Sequence, residues 1–345
     1  MTRHRHPWLR RASRVAFYVF LAVVAWLLVR AARAIDWGEV RMALAALDAA
    51  TLGAALALTA VSYAVYACYD LAARAYAGHA VRATRVLTIA ATAYAFALSI
   101  GALVGGAGFR FRMYGREGVP LGQVARVVLF AAATNWIGYL ALAGALFVSG
   151  RVVLPASLPL AGLDGATAMR TLGLAMLALV VAYVIACHAT HGRIFHVRGH
   201  HFRLPAPKLA VLQVALAATN WWLMGQVLAR FLPQAGDAVV LAALLVSAVA
   251  TAAAHIPAGV GVLEAVFIAM LGHRVPAPHL IAALLAYRAC YYLVPLAIAS
   301  AAFAALELSG RKSRPAALPS VTVGPEDNGT HDGRQRAGHP PPHRR

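Results

Sequence analysis

The sequence predicts an all-α polytopic membrane protein with about six full spans and two re-entrant helical hairpins, arranged as an inverted repeat. Three observations carry that expectation. Of 345 residues, 61% are hydrophobic and 12% charged, and mean hydropathy is +0.69; a soluble domain carries about 25% charged residues. Apolar runs recur at lengths suited to about 30 Å of hydrocarbon, which needs roughly 17–25 helical residues. The formal net charge of +19 is concentrated in short stretches between those runs. That distribution orients a chain in a membrane; it does not describe a nucleic-acid surface.

In order, the runs are 15–32, 51–69, 87–104, 127–148, 171–189, 209–231, 238–254, 260–272 and 280–306. Residues 1–14, "MTRHRHPWLRRASR", lead into the first span with no small-residue cleavage site, so they read as a basic cytoplasmic N-terminus. Three further stretches are expected on that side: Arg74, Arg82 and Arg85; Arg193, Arg198, Arg203 and Lys208; and Arg311, Lys312 and Arg314. Residues 150–170, with only Arg151 and Arg170 as positive charges, are expected outside. Run 87–104 then has basic segments at both ends, since Arg110, Arg112, Arg116 and Arg126 follow it. A segment that enters and returns resolves the conflict, with Gly105, Gly106 and Gly108 at an unwound tip. Runs 238–254 and 260–272 form the counterpart, broken at "HIPAGVG". There Pro257 withholds a backbone donor, and Gly259 and Gly261 permit unwinding. Such backbone is tolerated at membrane depth where it lines a protein-enclosed cavity.

The integral region, 15–308, therefore divides into halves at 15–148 and 171–306, each reading span, span, hairpin, span, in opposite orientations. Corresponding runs start at 15 and 171, 51 and 209, 87 and 238, and 127 and 280, offsets of 156, 158, 151 and 153. The tetrapeptide "ATNW", at 133–136 and 218–221, does not obey this offset and reads as chance or as convergent helix packing. Residues 309–345, rich in Pro, Gly, His and charge, are expected to be a disordered cytoplasmic tail.

Asp70, Arg110, Arg112, Glu264 and Arg288 lie within or beside apolar runs. A charge at mid-bilayer costs at least about 2.5–3.5 kcal/mol, so such groups pair or line a watery path. Arg110 and Arg112 are expected to present bidentate donors to a phosphate; the alternative is snorkelling at the interface, the expectation for Arg116 and Arg126. Glu264, three residues past Gly261, either caps the broken helix or receives a cationic group. Arg288 is a counter-charge to Glu264 or to Asp70, and Asp70 could instead pair with Arg74 on its own helix.

Cys68, Cys187 and Cys290 are scattered through apolar runs and read as small buried residues. Residues 188–201, "HATHGRIFHVRGHH", hold five histidines without a completing ligand set and read as a flexible basic loop. No metal and no cofactor are expected. No GxSxG, HExxH, P-loop or Rossmann fingerprint stands in a fitting context, so no apparatus for enzymatic chemistry is visible.

"YDLAARAY" (69–76), "GAGFRFRMYGREGVPLGQV" (106–124), "TNWIGY" (134–139), "IPAGVGVLEAVFIAML" (256–271) and "AYRACYYLVPLAIA" (286–299) occur in this order. Together they resemble the integral membrane region of lysylphosphatidylglycerol synthases, the multiple peptide resistance factor family. The specific parts are the RxRxY block at Arg110, Arg112 and Tyr114, and the PxGxGxxE block from Pro257 to Glu264. Ala258 departs from the latter, where the family commonly has a second glycine. The resemblance implies a flippase-like region standing without the lysyl-transferase domain, in a bacterial-type inner membrane, with Asp70, Arg110, Arg112 and Glu264 serving translocation. It carries over no particular substrate. The expected function is movement of a membrane phospholipid between leaflets, aminoacylated phosphatidylglycerol being one option. The alternatives are a transporter of a small anionic or polar solute, and a non-transporting partner of a separate lipid-modifying enzyme; a homo-oligomer is a further option.

Overall fold

The computed structural model describes residues 37–151, 164–190, 193, 195–197, 200–254 and 259–312. The expected first span at 15–32, the N-terminal stretch 1–14 and Pro257 lie outside them. Two compact units divide the chain, Met1–Ala304 and Ala305–Arg345. In the second, the described residues are the closing turns of a helix that ends at Lys312, so helix extends a little past the expected boundary at 308.

The first unit is built from helices. In chain order they are α1 (Trp37–Ala45), α2 (Ala49–Ala77), α3 (Ala83–Ile100), a π-helical segment (Ala102–Gly108), α4 (Phe109–Arg116), α5 (Leu121–Val148) and α6 (Gly165–Ala189). After a two-stranded hairpin, β1 (Phe195–Val197) with β2 (His200–Phe202), come α7 (Pro207–Ala229), α8 (Asp237–Ala254), α9 (Val262–Leu271) and α10 (Ala277–Arg288). A second π segment (Ala289–Leu293) joins α10 to α11 (Val294–Lys312). Among the described residues, seven helices are long and apolar enough to cross a membrane, counting Ala277–Phe303 as one. Leu174, Leu179, Val181 and Ile185 stand exposed on α6, an outward face suited to lipid and unsuited to water. This is an all-α polytopic membrane protein.

Local signals set the helix ends. Asp48 accepts the Thr51 N–H at 2.6 Å to open α2, and Gly78, left-handed at φ 76°, closes it. The short β pairing sets Phe195 opposite Phe202 and corrects the expectation of a flexible loop over 188–201.

The first hairpin is present, but its reversal is not where the glycine cluster suggested. The chain turns at Gly101, whose φ of +106° is strained for any residue with a side chain. The return runs through the π segment into α4, packing back along α3. Phe109 stacks on Phe96 with ring centroids 3.9 Å apart, and Arg85 pairs with Glu117 at 2.7 Å to close the base. Gly105, Gly106 and Gly108 are wound into the π segment, and a Cβ at Gly105 would collide with the Phe96 carbonyl. The small size of Gly105 and Gly106 serves close packing of the two arms. The second hairpin joins α8 to α9, with Gly259 and Gly261 at positive φ in the break.

The repeat is visible in three dimensions. Helices α2 and α7 start at 49 and 207, α3 and α8 at 83 and 237, and α5 and α10 at 121 and 277, offsets of 158, 154 and 156. Residues Val119-Pro120 and Val275-Pro276 introduce the last of these pairs in the same extended conformation. Helices α2 and α7 pack antiparallel, since Tyr76 near the end of α2 donates to the Arg203 carbonyl just before α7. At their crossing Ser62 donates to Asn220 Oδ1 at 2.7 Å, and these two residues are themselves 158 apart. Equivalent residues of an inverted repeat touch in this way at the pseudo-twofold axis. The "ATNW" segments also meet: Trp221 Nε1 donates to the Asn135 carbonyl at 3.2 Å, and Gly138 lies against Ala217. The tetrapeptide marks packing between α5 and α7, not repeat equivalence.

Candidate functional site

The two hairpin tips face each other across a chamber of about 450 Å³. Ala97, Leu98 and the stretch from Ile100 to Val104 of the first tip form one wall, and Ser247, Thr251, Gly259 and Leu263 of the second form the other. Trp221, Met224 and Tyr292 complete it. Apart from Ser247, Thr251 and the Tyr292 hydroxyl, the lining side chains are chiefly apolar.

Glu264 and Arg288 stand beside this chamber. Arg288 Nε donates to Glu264 Oε1 at 2.9 Å, and Nη2 donates to Oε2 at 3.3 Å and to the Gly259 carbonyl at 3.2 Å. The Gly261 N–H donates to Glu264 Oε2 at 2.8 Å, so the carboxylate caps α9 as well as pairing with the arginine. Both roles expected of Glu264 and Arg288 within the protein are therefore present at once. The pair keeps contact with its surroundings: the Glu264 side chain is 24% exposed and that of Arg288 is 15%.

Asp70 and Arg110, both expected to serve translocation, hold each other. Arg110 Nη2 donates to Asp70 Oδ1 at 2.9 Å and Nε to Oδ2 at 3.0 Å. Tyr114 donates to Oδ2 at 3.0 Å, and Arg110 reaches the Gly106 carbonyl and lies 5.8 Å from the Tyr66 ring centre. The side chains are 0% and 4% exposed. Pairing of Asp70 with Arg74 is superseded by this longer-range contact. Arg112 does not join Arg110: it is exposed, with its guanidinium 5.4 Å from the Phe303 ring centre. Residues two apart on a helix point to opposite sides, and Arg110 and Arg112 both lie on the helix 109–116.

Between the two ion pairs runs a buried polar network that the charged residues did not foreshadow. Asn220 Nδ2 donates to the Tyr94 hydroxyl at 3.3 Å, Tyr94 and Tyr291 share a hydrogen bond at 3.0 Å, and Ser62 meets Tyr291 at 2.6 Å. Tyr63 donates to the Tyr291 carbonyl at 3.1 Å, a group inside the second π segment. π segments alter the helical hydrogen-bond pattern and often accompany function. A signal existed in the sequence: Tyr63, Tyr66 and Tyr69 recur at three-residue intervals, and Tyr287 and Tyr291 lie one turn apart. Those spacings place each set along one helical face.

No family model matches the chain. Comparison with known proteins finds the inner membrane protein YbhN of Escherichia coli, 38% identical over 311 residues, which cover 90% of this chain and 96% of the relative. The chain belongs to the YbhN family. An uncharacterized protein of Synechocystis, slr0712, is 29% identical over 278 residues, covering 79% of this chain and 84% of the relative. With the apolar helices, the similarity to YbhN makes this a multi-pass inner membrane protein.

Proposed function

We propose that the protein is a lipid translocase, moving a phospholipid between leaflets of the inner membrane. The observation that carries this reading is the mainly apolar chamber between two hairpin tips, flanked by a carboxylate–guanidinium pair. At about 450 Å³ the chamber falls within the roughly 300–1,000 Å³ typical of sites for small organic ligands. It suits a head group, with acyl chains left in the bilayer.

The pair offers both charges that a zwitterionic or aminoacylated head group needs. A phosphate replaces the Glu264 carboxylate on the Arg288 guanidinium, and the freed carboxylate accepts a ligand amine. Rocking of the two halves about the α2–α7 crossing opens the chamber to each leaflet in turn. In this reading Asp70 and Arg110 stiffen the first hairpin, and both termini lie in the cytoplasm, as the Lys and Arg distribution implies. The resemblance to the flippase-like region of lysylphosphatidylglycerol synthases supports the same assignment.

The test is movement of fluorescent phosphatidylglycerol in proteoliposomes. Wild type should accelerate it, and Glu264→Gln and Arg288→Gln should each slow it about tenfold, equivalent to about 1.4 kcal/mol of barrier, while remaining folded. Equal rates in all three remove the pair from the mechanism. Displacement of head-group binding by soluble anions, without lipid movement in wild type, would favour a solute transporter instead.

A further inference from the structure

We propose that the hydroxyls of Tyr292 and Thr251 read the part of the head group beyond its phosphate, so that the chamber selects lipids whose head groups hydrogen-bond there and rejects those that present only methyl groups. The inference rests on the reading of the chamber as a head-group site. To its charged pair it adds the neutral groups that choose among head groups.

The tyrosines around the chamber supply the contrast that carries it. Tyr291 shares hydrogen bonds with Ser62 and Tyr94, Tyr63 donates to the Tyr291 carbonyl, and the Tyr66 hydroxyl accepts from Arg110 at 3.4 Å. The hydroxyls of Tyr69 and Tyr287 have no partner, but both are sealed inside the protein. Tyr292 differs from all of these. It lines the chamber, it is half-buried, and its hydroxyl is neither sealed nor hydrogen-bonded among the described residues. Neighbouring rings hold it in place: the centroids of Tyr287 and Tyr291 lie 5.8 and 6.0 Å away. The Arg288 guanidinium stands 5.8 Å from its ring centre. One helical turn separates Arg288 from Tyr292, which puts both on one face. A head group whose phosphate rests on Arg288 therefore has the tyrosine hydroxyl within its surroundings.

Thr251 supplies a second such hydroxyl. One turn earlier on α8, Ser247 donates to the Ala243 carbonyl at 2.7 Å, the back-bond open to a serine inside a helix. Thr251 makes no such bond among the described residues and is not sealed, although it lines the same chamber. Its Oγ1 stands against Gly259, where a Cβ would come within 2.6 Å of it, and the Gly259 carbonyl accepts from Arg288. Two unpaired, reachable hydroxyls thus flank the Glu264–Arg288 pair in a chamber whose walls are otherwise chiefly apolar. Each can donate and accept. A site with polar groups poised to bond rejects an analogue that cannot bond, because those groups lose water and gain no partner. An ammonium or a glycerol group meets the requirement, and a trimethylammonium group does not.

The experiment compares phosphatidylethanolamine with phosphatidylcholine, which carry the same net charge and differ in N–H groups against methyls. The full chain is placed in nanodiscs holding equal amounts of the two, with matched acyl chains, and the lipid it retains is measured by native mass spectrometry. Movement of each lipid is followed in proteoliposomes in parallel. Wild type should retain phosphatidylethanolamine in preference, and Tyr292→Phe should lower that ratio about tenfold, or about 1.4 kcal/mol. Thr251→Val should lower it in the same direction. Phenylalanine keeps the ring beside Arg288, so the comparison isolates the hydroxyl. Both variants remove groups that bond to nothing in the protein, so their thermal unfolding should match wild type. Tyr183→Phe, which removes the bond from α6 to Gln213, should leave the ratio unchanged. No preference in wild type, an unchanged ratio in Tyr292→Phe, or an equal fall in Tyr183→Phe overturns the proposal. Movement in wild type with an unchanged ratio in Tyr292→Phe removes the hydroxyls and leaves translocation standing. A hydroxyl-dependent preference without movement keeps the assignment and removes translocation.

Discussion

At the first hairpin, Asp70 and Arg110 meet with side chains 0% and 4% exposed, and Tyr114, Tyr66 and the Gly106 carbonyl surround them. At the second, Glu264 and Arg288 make the same carboxylate–guanidinium contact at the same 2.9 Å, but remain 24% and 15% exposed beside a chamber. Removal from water makes the first pair costly to break, because either partner alone is a stranded charge. The second is less sealed, and in the proposed transport its partners are exchanged for those of a ligand. Like chemistry thus supports opposite roles: a pin that fixes one hairpin and a clasp that can open at the other.

Three measurements sharpen or break that contrast. Arg110→Ala should have the largest effect, destabilising the protein by about 3–5 kcal/mol through the abandoned Asp70 charge. The double variant Asp70→Leu with Arg110→Met should recover most of that loss in a thermal unfolding series. A stable Arg110→Ala protein would show that the first pair is not a pin. Glu264→Gln should cost only about 1 kcal/mol, because the amide still accepts from the Gly261 N–H, which makes it a clean probe of transport. A large loss of stability there would erase the distinction between the pairs.

The smallest effect concerns pH. Burial, with help from Arg74, holds the His79 imidazole below its ordinary range, and Asp70 opposes this only in part. Tyr114, Arg82, Arg85 and Glu117 are the other ionisable groups around it. The unfolded chain therefore binds the proton more readily, and stability contributed by neutral His79 falls as pH drops below about 6.5. His79→Gln should flatten the acid side of the stability profile by a fraction of a kcal/mol. An unchanged profile would show that this ring does not titrate with folding.

Much of this architecture was legible because membranes impose coarse rules. Run length named the spans, and basic residues on both sides of 87–104 demanded a reversal; the Arg85–Glu117 contact now closes that reversal at its base. The turning point was not legible. Glycine content pointed to 105–108, whereas the turn needs one residue at positive φ, Gly101, and Gly105 is needed where the Phe96 backbone approaches. The partners of the charges were hidden for a different reason. Asp70 and Arg110 are forty residues apart, and their meeting depends on α4 folding back along the hairpin. By contrast Glu264 lies in the first turn of its helix, so its capping role followed from local spacing alone.

Ser62 and Asn220 are images of one another across the axis that relates the halves. In the proposed translocation the two halves trade shapes, and a contact between images maps onto itself, so this hydrogen bond survives the exchange without being broken and remade. The burden of the proposed motion then falls on the tips, where each residue must acquire the neighbours its counterpart gives up.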